Sequence, residues 1–345
     1  MRPIDIESFL VQMEQHPVLD VRSPGEYQHA HLPGAYSFPL FDDEERKQVG
    51  TTYKQQSREQ AIKVGLDYFG PKMRPLVEQA EQIASQHNTK TLLVHCWRGG
   101  MRSGGVAWLL DLYGFKVFTL VGGYKSYRRW TLAQFEKEIP LRLIGGYTGS
   151  GKTDLIPALT KKGEATLDLE GLAHHKGSAF GSIGQPEQPT QEQFENKLAW
   201  SIRSMIKQNP SRIWVEDESQ RIGRVNVPNA FWKQMRQSPV FFLDIPFEKR
   251  LEYIVSGYGT LPTQKLVDAT DRIRKKLGDK NATDAINFIQ EGAILPAFEI
   301  LLKYYDKLYV KSLHNRENAI ELIRLIEAAD VTENNYEALL RHTQP

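Results

Sequence analysis

The stretch LIGGYTGSGKT, from Leu143 to Thr153, decides the fold of the second half of the chain. An apolar run that predicts a β-strand leads into a glycine-rich loop with the spacing Gly-x4-Gly-Lys-Thr, and a helical pattern follows. Glycines at this spacing let backbone N–H groups point at a phosphate, while the lysine adds positive charge and the threonine hydroxyl is a ligand for Mg²⁺. The stretch therefore predicts a phosphate-binding loop (P-loop). Its binding residues are predicted to be Gly146, Gly149, Ser150, Gly151, Lys152 and Thr153.

Strand and helix patterns alternate around this loop. Apolar strand candidates lie at residues 141–145, 165–169, 212–216 and 240–244. A helical pattern follows each of them, which is typical of an α/β domain with a parallel sheet, and we predict such a domain over residues 141–260. Residues 261–345 are mostly helical in pattern, including a helix predicted over 319–329, and are expected to form a helical C-terminal extension.

The first part of the chain predicts a separate α/β domain. Strand candidates lie at residues 18–21, 91–95 and 116–121. Helix-like stretches separate them, so we expect a second parallel sheet within residues 1–128, followed by a helical linker over 129–140. Residues 42–75 are polar and charged, and we predict that they form a long non-regular insertion, a feature that is often functional.

The composition indicates a globular protein. A length of 345 residues suggests two domains at about 150 residues each. Hydrophobic residues make up 40% and charged residues 25%, which excludes a disordered or fibrous chain. The sequence has no membrane-spanning apolar run and no signal-peptide pattern, so we expect a cytoplasmic protein without a membrane partner. The net charge of +2 neither indicates nor excludes a nucleic-acid partner.

A second glycine-bearing loop holds the only cysteine of the sequence. The segment HCWRGGMRSGG begins at His95, where a predicted strand ends, and leads into a helix. Backbone N–H groups around such a loop form an anion cradle, which lowers the pKa of a thiol placed there. The alternative is a buried cysteine that acts as a small hydrophobe. We predict Cys96 and Arg102 as catalytic residues, and Arg98, Gly99 and Gly100 as anion-binding residues.

Together with the cysteine loop, the segment LDVRSPGEYQHAHLPGAYSFP (residues 19–39) resembles the rhodanese family. The resemblance covers about the first 125 residues and implies a rhodanese fold with a cysteine that carries a persulfide or a selenide. One departure is the Cys-x5-Arg spacing, because sulfurtransferase rhodaneses usually have Cys-x4-Arg. The longer loop can surround a tetrahedral phosphate-like group, which leaves the chemistry of cysteine-dependent phosphatases open as an alternative.

Acidic and histidine residues near the P-loop are weaker candidates. The segment RIWVEDES (residues 212–219) places Glu216 or Asp217 at a strand end, where they either bind Mg²⁺ at the nucleotide site or are simply solvated. Residues 170–184 are rich in glycine and contain the adjacent histidines His174 and His175. Neighbouring side chains point apart in regular structure, so we predict no metal site there and favour a substrate loop.

Several segments together resemble the bacterial tRNA 2-selenouridine synthases. They are ERKQVGTTYKQQSREQAIKVG (45–65), CWRGGMRSGG (96–105), GGYKSYRR (122–129), GYTGSGKT (146–153), HHKGSAFG (174–181) and WVEDES (214–219). The resemblance extends from the first strand to about residue 280. It implies a transferase that converts wobble 2-thiouridine in tRNA to 2-selenouridine through S-geranyl-2-thiouridine.

The resemblance also implies the co-substrates and partners. These are geranyl diphosphate, selenophosphate and tRNA, with Mg²⁺ and a selenophosphate-producing enzyme as further candidates. By the same resemblance Cys96 serves the selenium step, whereas the P-loop suits a diphosphate. An S-alkyl group leaves more easily than a thiocarbonyl sulfur, which gives the first step a chemical purpose.

A tRNA partner needs a basic and partly aromatic surface. Two candidate groups are Lys125, Tyr127, Arg128, Arg129 and Trp130 near the domain junction, and Arg46, Lys47, Tyr53, Lys54 and Arg58 in the predicted insertion. The aromatic members could stack an extruded base. For any single residue the alternative is an ordinary solvated or core position.

The sequence is also compatible with two other functions. One is a P-loop small-molecule kinase fused to a regulatory or phosphatase-like rhodanese unit, which would turn over ATP without tRNA. The other is a sulfur- or redox-sensing binding module whose P-loop fold is structural, which would show no turnover.

Overall fold

The computed structural model describes residues 1–343, with every side chain among them except that of His314. The chain divides into two compact units. The first unit comprises residues 1–134 and 195–200, and the second comprises 135–194 and the described residues from 201 onward.

The first unit is built on a five-stranded parallel sheet. Its strands are β1 (Arg2–Ile4), β2 (Val18–Asp20), β3 (Tyr36–Ser37), β4 (Thr91–His95) and β5 (Lys116–Leu120). Its helices are α1 (Ile6–Gln12), α2 (Pro24–His29), α3 (Asp43–Gln55), α4 (Arg58–Gln86), α5 (Met101–Tyr113) and α6 (Gly123–Gln134). The strand order is β1-β5-β4-β2-β3, so the cysteine loop leaves the carboxyl end of the central strand β4. In parallel sheets this edge is where ligands usually bind.

The predicted non-regular insertion over residues 42–75 is wrong, because the segment is helical. Helix α3 begins with a capping box in which the side chain of Asp42 accepts from the N–H of Glu45, at 2.8 Å, and the Glu45 carboxylate accepts from the N–H of Asp42, at 2.9 Å. Helix α4 follows and buries Ala61, Gly65 and Phe69 in its first half. The polar composition of the segment reflects helices that bury only a narrow face.

The second unit has a five-stranded parallel sheet and a small hairpin. Its strands are β6 (Leu141–Gly146), β7 (Thr166–Leu167), β8 (Ile213–Glu216), β9 (Arg221–Ile222), β10 (Val225–Asn226), β11 (Val240–Asp244) and β12 (Ile323–Glu327). The parallel order is β12-β11-β6-β8-β7, and β9 pairs with β10 antiparallel. Strand β6 is central and ends in the P-loop, so the predicted α/β class with parallel sheets is confirmed in both units.

Helices make up most of the rest of this unit. They are α7 (Lys152–Lys161), α8 (Leu169–Ala173), α9 (Gln191–Ile206), α10 (Asn229–Gln237), α11 (Phe247–Tyr258), α12 (Thr263–Arg272), α13 (Arg274–Leu277), α14 (Asp279–Gln290), α15 (Ile294–His314), α16 (Ala319–Leu322) and α17 (Tyr336–Arg341), with a 3₁₀ turn at Glu333–Asn335. Helices α11, α12, α14 and α15 share an apolar core that includes Leu266, Ile289 and Leu301. The helical C-terminal region is thus confirmed. Within residues 1–343 no helix is both long enough and apolar enough to cross a bilayer.

One part of the C-terminal prediction is wrong. The helix predicted over 319–329 ends at Leu322, and the following residues form the edge strand β12. Strand β12 pairs in parallel with β11, with Ile323 opposite Val240 and Glu327 opposite Asp244. The strand state is set by this pairing with a segment far away in sequence, which a local periodicity does not report.

Candidate active site

Cys96 lies at the end of β4, in a loop that hydrogen-bonds its sulfur atom. The side chain is only 3% exposed, and its Sγ lies 3.2 Å from the Oγ of Ser103. Burial raises the pKa of the thiol, but hydrogen bonds from the Ser103 hydroxyl and from the N–H groups of Ser103 and Gly100, together with the charge of Arg102, outweigh burial and lower the pKa. The loop therefore favours a thiolate, as a nucleophile requires.

The cysteine loop is held by direct contact with the segment that follows β5. The N–H of Tyr124 donates to the carbonyl of Cys96 at 2.8 Å, and the N–H of Lys125 donates to that of Trp97 at 3.0 Å. Gly123 has a φ of 58°, and a Cβ there would lie 2.3 Å from the Cys96 carbonyl oxygen and 2.4 Å from the N of Gly99. Only glycine permits this approach, so Gly123 is a site-building residue that the sequence analysis did not identify.

Arg102 closes the loop but is oriented by an acidic partner. Its Nη1 donates to Oε2 of Glu26 at 2.7 Å, and its side chain is 23% exposed. Burial raises the pKa of Glu26, while the hydrogen bond and charge of Arg102 lower it, with a net lowering. Arg98 and Gly99 are exposed loop residues. Within the described chain, the backbone N–H groups of Arg98 and Gly99 donate to no acceptor, so both groups can bind an anion.

A buried polar network lies beneath the loop. Arg22 donates to Asp20 through Nε at 2.9 Å and Nη2 at 2.6 Å, and its guanidinium carbon lies 3.8 Å from the ring centroid of Tyr124. His95 is fully buried, and neither of its ring nitrogens has a hydrogen-bond partner in the described structure. Burial lowers the pKa of His95 despite the charge of Asp20, so the imidazole is neutral. The side-chain partner of the Cys96 sulfur is thus the Ser103 hydroxyl and not the His95 ring.

The P-loop has the backbone conformation that its glycines predict. Gly149 and Gly151 have φ values of 81° and 73°, and Gly151 is the N-cap residue of α7. The Nζ of Lys152 donates to the carbonyl of Gly146 at 2.8 Å, so the ammonium group lies over the loop. Ser150 is buried, and its hydroxyl has no partner among the described residues. The loop therefore combines free donors with a fixed positive charge, as phosphate binding requires.

Carboxyl groups cluster beside the start of α7. The Oγ1 of Thr153 donates to Oε2 of Glu170 at 2.6 Å. Burial raises the pKa of Glu170, although Thr153 and the charge of Lys152 act in the opposite direction. Enclosure of its carboxyl and the charge of Glu170 raise the pKa of Glu218 to about 8. The Glu218 carboxyl therefore retains its proton near neutral pH. Neither glutamate was among the predicted site residues.

The fit of Mg²⁺ to this cluster depends on oxygen ligands. Mg²⁺ typically binds one or two protein oxygens and completes its shell with phosphate and water. Thr153 and Glu170 offer such a pair, and they are the residues that would hold the ion beside a bound diphosphate. No group of three or more His, Cys, Asp or Glu side chains in residues 1–343 could hold a metal ion alone.

The two candidates at the end of β8 lie in different surroundings. Glu216 is fully buried and accepts from the N–H of Leu169 at 3.1 Å, and burial raises its pKa well above the usual range. Asp217 accepts from the hydroxyl of Tyr309 at 2.9 Å and pairs with Arg316. Asp217 is thus engaged by two side chains, whereas Oε1 of Glu216 has no hydrogen-bond partner among the described residues, so a role of Glu216 at the phosphate site stays a prediction.

An open cavity of about 470 Å³ adjoins the P-loop. It is lined by Tyr147, Phe247, Arg250, Asp306, Lys307 and Val310. Arg250 donates to the carbonyl of Thr148 at 3.0 Å and pairs with Asp306 at 2.8 Å. These contacts hold this side of the cavity against the P-loop. The volume is in the range of small-molecule sites.

The predicted tRNA surface is only partly accessible. Tyr127 is fully buried and Trp130 is 7% exposed, so neither can stack a base, and their assignment to a binding surface is wrong. Arg128 donates to Oδ1 of Asn196 at 2.6 Å and pairs with Glu195, both within the first unit. The exposed members of the two groups are Lys125, Arg129, Arg46, Lys47, Tyr53, Lys54 and Arg58.

Family comparisons agree with this geometry. Residues 6–129 match the rhodanese-like domain family, and residues 139–335 match the family described as the tRNA 2-selenouridine synthase AAA domain. The fold and the two loops thus define a fusion of a rhodanese-like domain with a P-loop domain.

Comparison with individual relatives identifies the family within this class of fusion proteins. The chain is 33% identical to the tRNA 2-selenouridine synthase of Shewanella piezotolerans (strain WP3 / JCM 13877), with 90% of this chain and 92% of the relative covered. It is 40% identical to the Nitrosomonas europaea protein of the same name, covering 70% and 63%. A solved N-terminal domain of a Clostridium difficile 630 protein described as ATP/GTP binding is 40% identical, covering 37% of this chain and 98% of that one, with a TM-score of 0.35. The chain belongs to the tRNA 2-selenouridine synthase family.

Proposed function

We propose that this chain converts wobble 2-thiouridine in tRNA to 2-selenouridine in two steps, with geranyl diphosphate and selenophosphate as co-substrates. The observation that carries the proposal is the pairing in one chain of a low-pKa cysteine loop with a P-loop that offers free phosphate donors. Family membership and the names of the relatives, which specify tRNA and 2-selenouridine, support the substrate and the product.

In the first step the 2-thio sulfur attacks C1 of geranyl diphosphate. A carbon–sulfur bond forms, the carbon–oxygen bond to diphosphate breaks, and the base loses its N3 proton. Lys152 and the N–H groups of the P-loop would hold the diphosphate and stabilise its charge as it leaves. Mg²⁺ held by Thr153 and Glu170 would add further positive charge at the diphosphate.

The proposed geranylation needs a bound diphosphate and no nucleotide hydrolysis. It therefore needs no acid at the end of β8 to position an attacking water molecule, where Asp217 is bound by Arg316 and Tyr309 and Glu216 has a raised pKa. The cavity beside Tyr147 offers room for a ten-carbon prenyl chain next to the bound diphosphate.

In the second step selenium replaces the S-geranyl group. The Cys96 thiolate attacks C2 of the base, the carbon–sulfur bond to the geranyl group breaks, and geranyl thiol leaves after it takes up a proton. Selenophosphate then attacks C2 through selenium, and the bond between C2 and Cys96 breaks to release the thiolate. Water then cleaves the selenium–phosphorus bond, which yields phosphate and 2-selenouridine. Cys96 serves this step, and the N–H groups of its loop with Arg102 would bind the phosphate-like group of selenophosphate.

The test is mass spectrometry of nucleosides from 2-thiouridine tRNA incubated with the protein. Geranyl diphosphate alone should yield S-geranyl-2-thiouridine, and both co-substrates together should yield 2-selenouridine. Selenophosphate alone should yield little product. ATP turnover in the absence of tRNA, with no modified nucleoside, would instead favour a small-molecule kinase.

A further inference from the structure

An open cavity of about 440 Å³ lies in the first unit beside the cysteine loop. Its walls come from α2 and its N-cap, from α3, from the cysteine loop and from the start of α5. They include Glu26, His29, Asp43, Arg46, Trp97 and Arg102. The volume falls in the range of ligand sites. Because Trp97 follows Cys96 directly in the chain and Arg102 lies at the start of α5, the cavity adjoins the cysteine loop, although Cys96 itself does not line it.

Trp97 is the aromatic wall of this cavity. Its side chain is 38% exposed, which is unusual for a residue next to a buried cysteine. The ring of Tyr124 supports it, with centroids 5.5 Å apart and planes tilted by 33°, and the guanidinium of the buried Arg22 lies 5.9 Å from its centroid. The indole is therefore held in place from the protein side while it lines a solvent-accessible cavity.

Polar groups around Trp97 suit the edge of a pyrimidine. Arg46 and Arg102 carry N–H donors, and Glu26, which pairs with both at 3.7 and 2.7 Å, carries acceptors. Asp43 accepts from the N–H of Gly25 at 3.0 Å and keeps further lone pairs. An aromatic platform ringed by donors and acceptors is the arrangement by which proteins bind an unstacked base of single-stranded RNA.

We propose that Trp97 is the stacking platform for the 2-thiouracil base of the substrate, which enters this cavity and so reaches the cysteine loop. The proposal rests on the proposed function, because it assumes a tRNA substrate. It adds a specificity residue that the cysteine and the P-loop do not supply. Trp97 thereby binds the base of the RNA, whereas the N–H groups of the cysteine loop bind the phosphate-like group of selenophosphate.

The test compares two anticodon stem-loop RNAs, one with 2-thiouridine at the target position and one with an abasic ribose there. Binding to the full chain is measured by fluorescence anisotropy. Trp97→Ala should weaken binding of the 2-thiouridine RNA about tenfold and leave the abasic RNA unchanged, because stacking is lost only where a base is present. Trp97→Phe should retain most of the affinity.

Trp108→Ala is the matched control, since Trp108 is a 49% exposed tryptophan on α5 that does not line the cavity. It should change neither affinity. An equal loss on both RNAs, or no loss on either, overturns the proposal. A raised KM for selenophosphate with unchanged RNA affinity would assign the cavity to the anion and also overturn it. Conversion of the 2-thiouridine RNA by the wild-type chain, assayed in the same preparation, tests the proposed function separately.

Discussion

The cysteine loop of the first unit and the P-loop of the second share one plan. Each connects the carboxyl end of a buried parallel strand to a helix, and each contains at least one glycine with a positive φ. They differ in where their donors point. In the cysteine loop, N–H groups and the Ser103 hydroxyl point at an internal sulfur atom. In the P-loop, the Ser150 hydroxyl has no partner in the described chain, and Lys152 donates to the backbone carbonyls of Gly146 and Tyr147.

The pKa shifts beside the two loops differ as well. The pKa of Cys96 is lowered, whereas those of Glu170 and Glu218 beside the P-loop are raised. The first loop therefore stabilises an anion that belongs to the protein, and the second suits an anion that arrives with a substrate. One local design, a strand followed by a glycine loop and a helix, thus supports either a nucleophile or an anion clamp, according to the side chain at its centre.

Cys96→Ser should have the largest effect on the reaction. It should also separate the role of the cysteine loop in selenium transfer from the role of the P-loop in geranylation. Because the serine hydroxyl is a far weaker nucleophile than a thiolate, selenium transfer should fall by at least about a thousandfold. S-geranyl-2-thiouridine should then accumulate, as measured by nucleoside mass spectrometry. If the folded variant also fails to geranylate tRNA, the division of labour between the loops is wrong.

Lys152→Ala should affect the first step. Loss of one cation at a leaving diphosphate costs on the order of 3 kcal/mol, which corresponds to about a hundredfold in the geranylation rate. Lys161→Ala, an exposed lysine at the end of the same helix, is the control and should leave the rate unchanged. Pre-geranylated tRNA should restore selenation in the Lys152 variant. Continued inactivity on that substrate would show that the P-loop also serves the selenium step.

Ser103→Ala should have a moderate effect on the Cys96 thiol. The wild-type thiol should titrate below the usual value of about 8.5, as read from the alkylation rate against pH. Loss of the hydroxyl hydrogen bond should raise the thiol pKa by up to about one unit, because it stabilises the thiolate. At a fixed pH below the pKa the thiolate fraction then falls and alkylation slows. Ser85→Ala, in α4, is the control, and an equal shift in both variants would contradict the assigned hydrogen bond.

Joint replacement of Lys54 and Arg58 by alanine should have the smallest effect. Both are exposed, and each phosphate contact that they make would contribute about 0.9 to the slope of log affinity against log salt concentration. We expect several-fold weaker tRNA binding and a slope lower by about two. The exposed pair Lys275 and Lys276, replaced in the same way, serves as the control. A loss confined to that control pair would place the tRNA surface in the second unit.

The elements predicted best from sequence were those with a strong local pattern. The strands at 91–95 and 240–244 have the predicted bounds, because apolar runs mark them within a few residues. The segment 42–75 was mistaken because its helices bury little apolar surface. The strand at 323–327 was mistaken because its state depends on pairing with β11.

The residues of the candidate site also divide into those that the sequence predicts and those that it does not. The sequence analysis named Cys96, Arg102 and the P-loop residues, since their chemistry is tied to spacing along the chain. It did not name Glu26 as the partner of Arg102 or Glu170 as the partner of Thr153, because those contacts join residues 76 and 17 positions apart. It also could not separate exposed from buried aromatic residues near the domain junction.

Two α/β units, the two glycine-bearing loops and the single cysteine could be predicted from the sequence alone, because a loop motif and its flanking strand and helix are contiguous. The charge states and the accessible surfaces follow only from the three-dimensional fold. The pKa of a thiol or carboxyl depends on burial and on partners from other segments, as for Cys96 and Glu218. Exposure depends on packing in the same way, which buries Tyr127 and Trp130 in the first unit and leaves Trp97 open to a cavity.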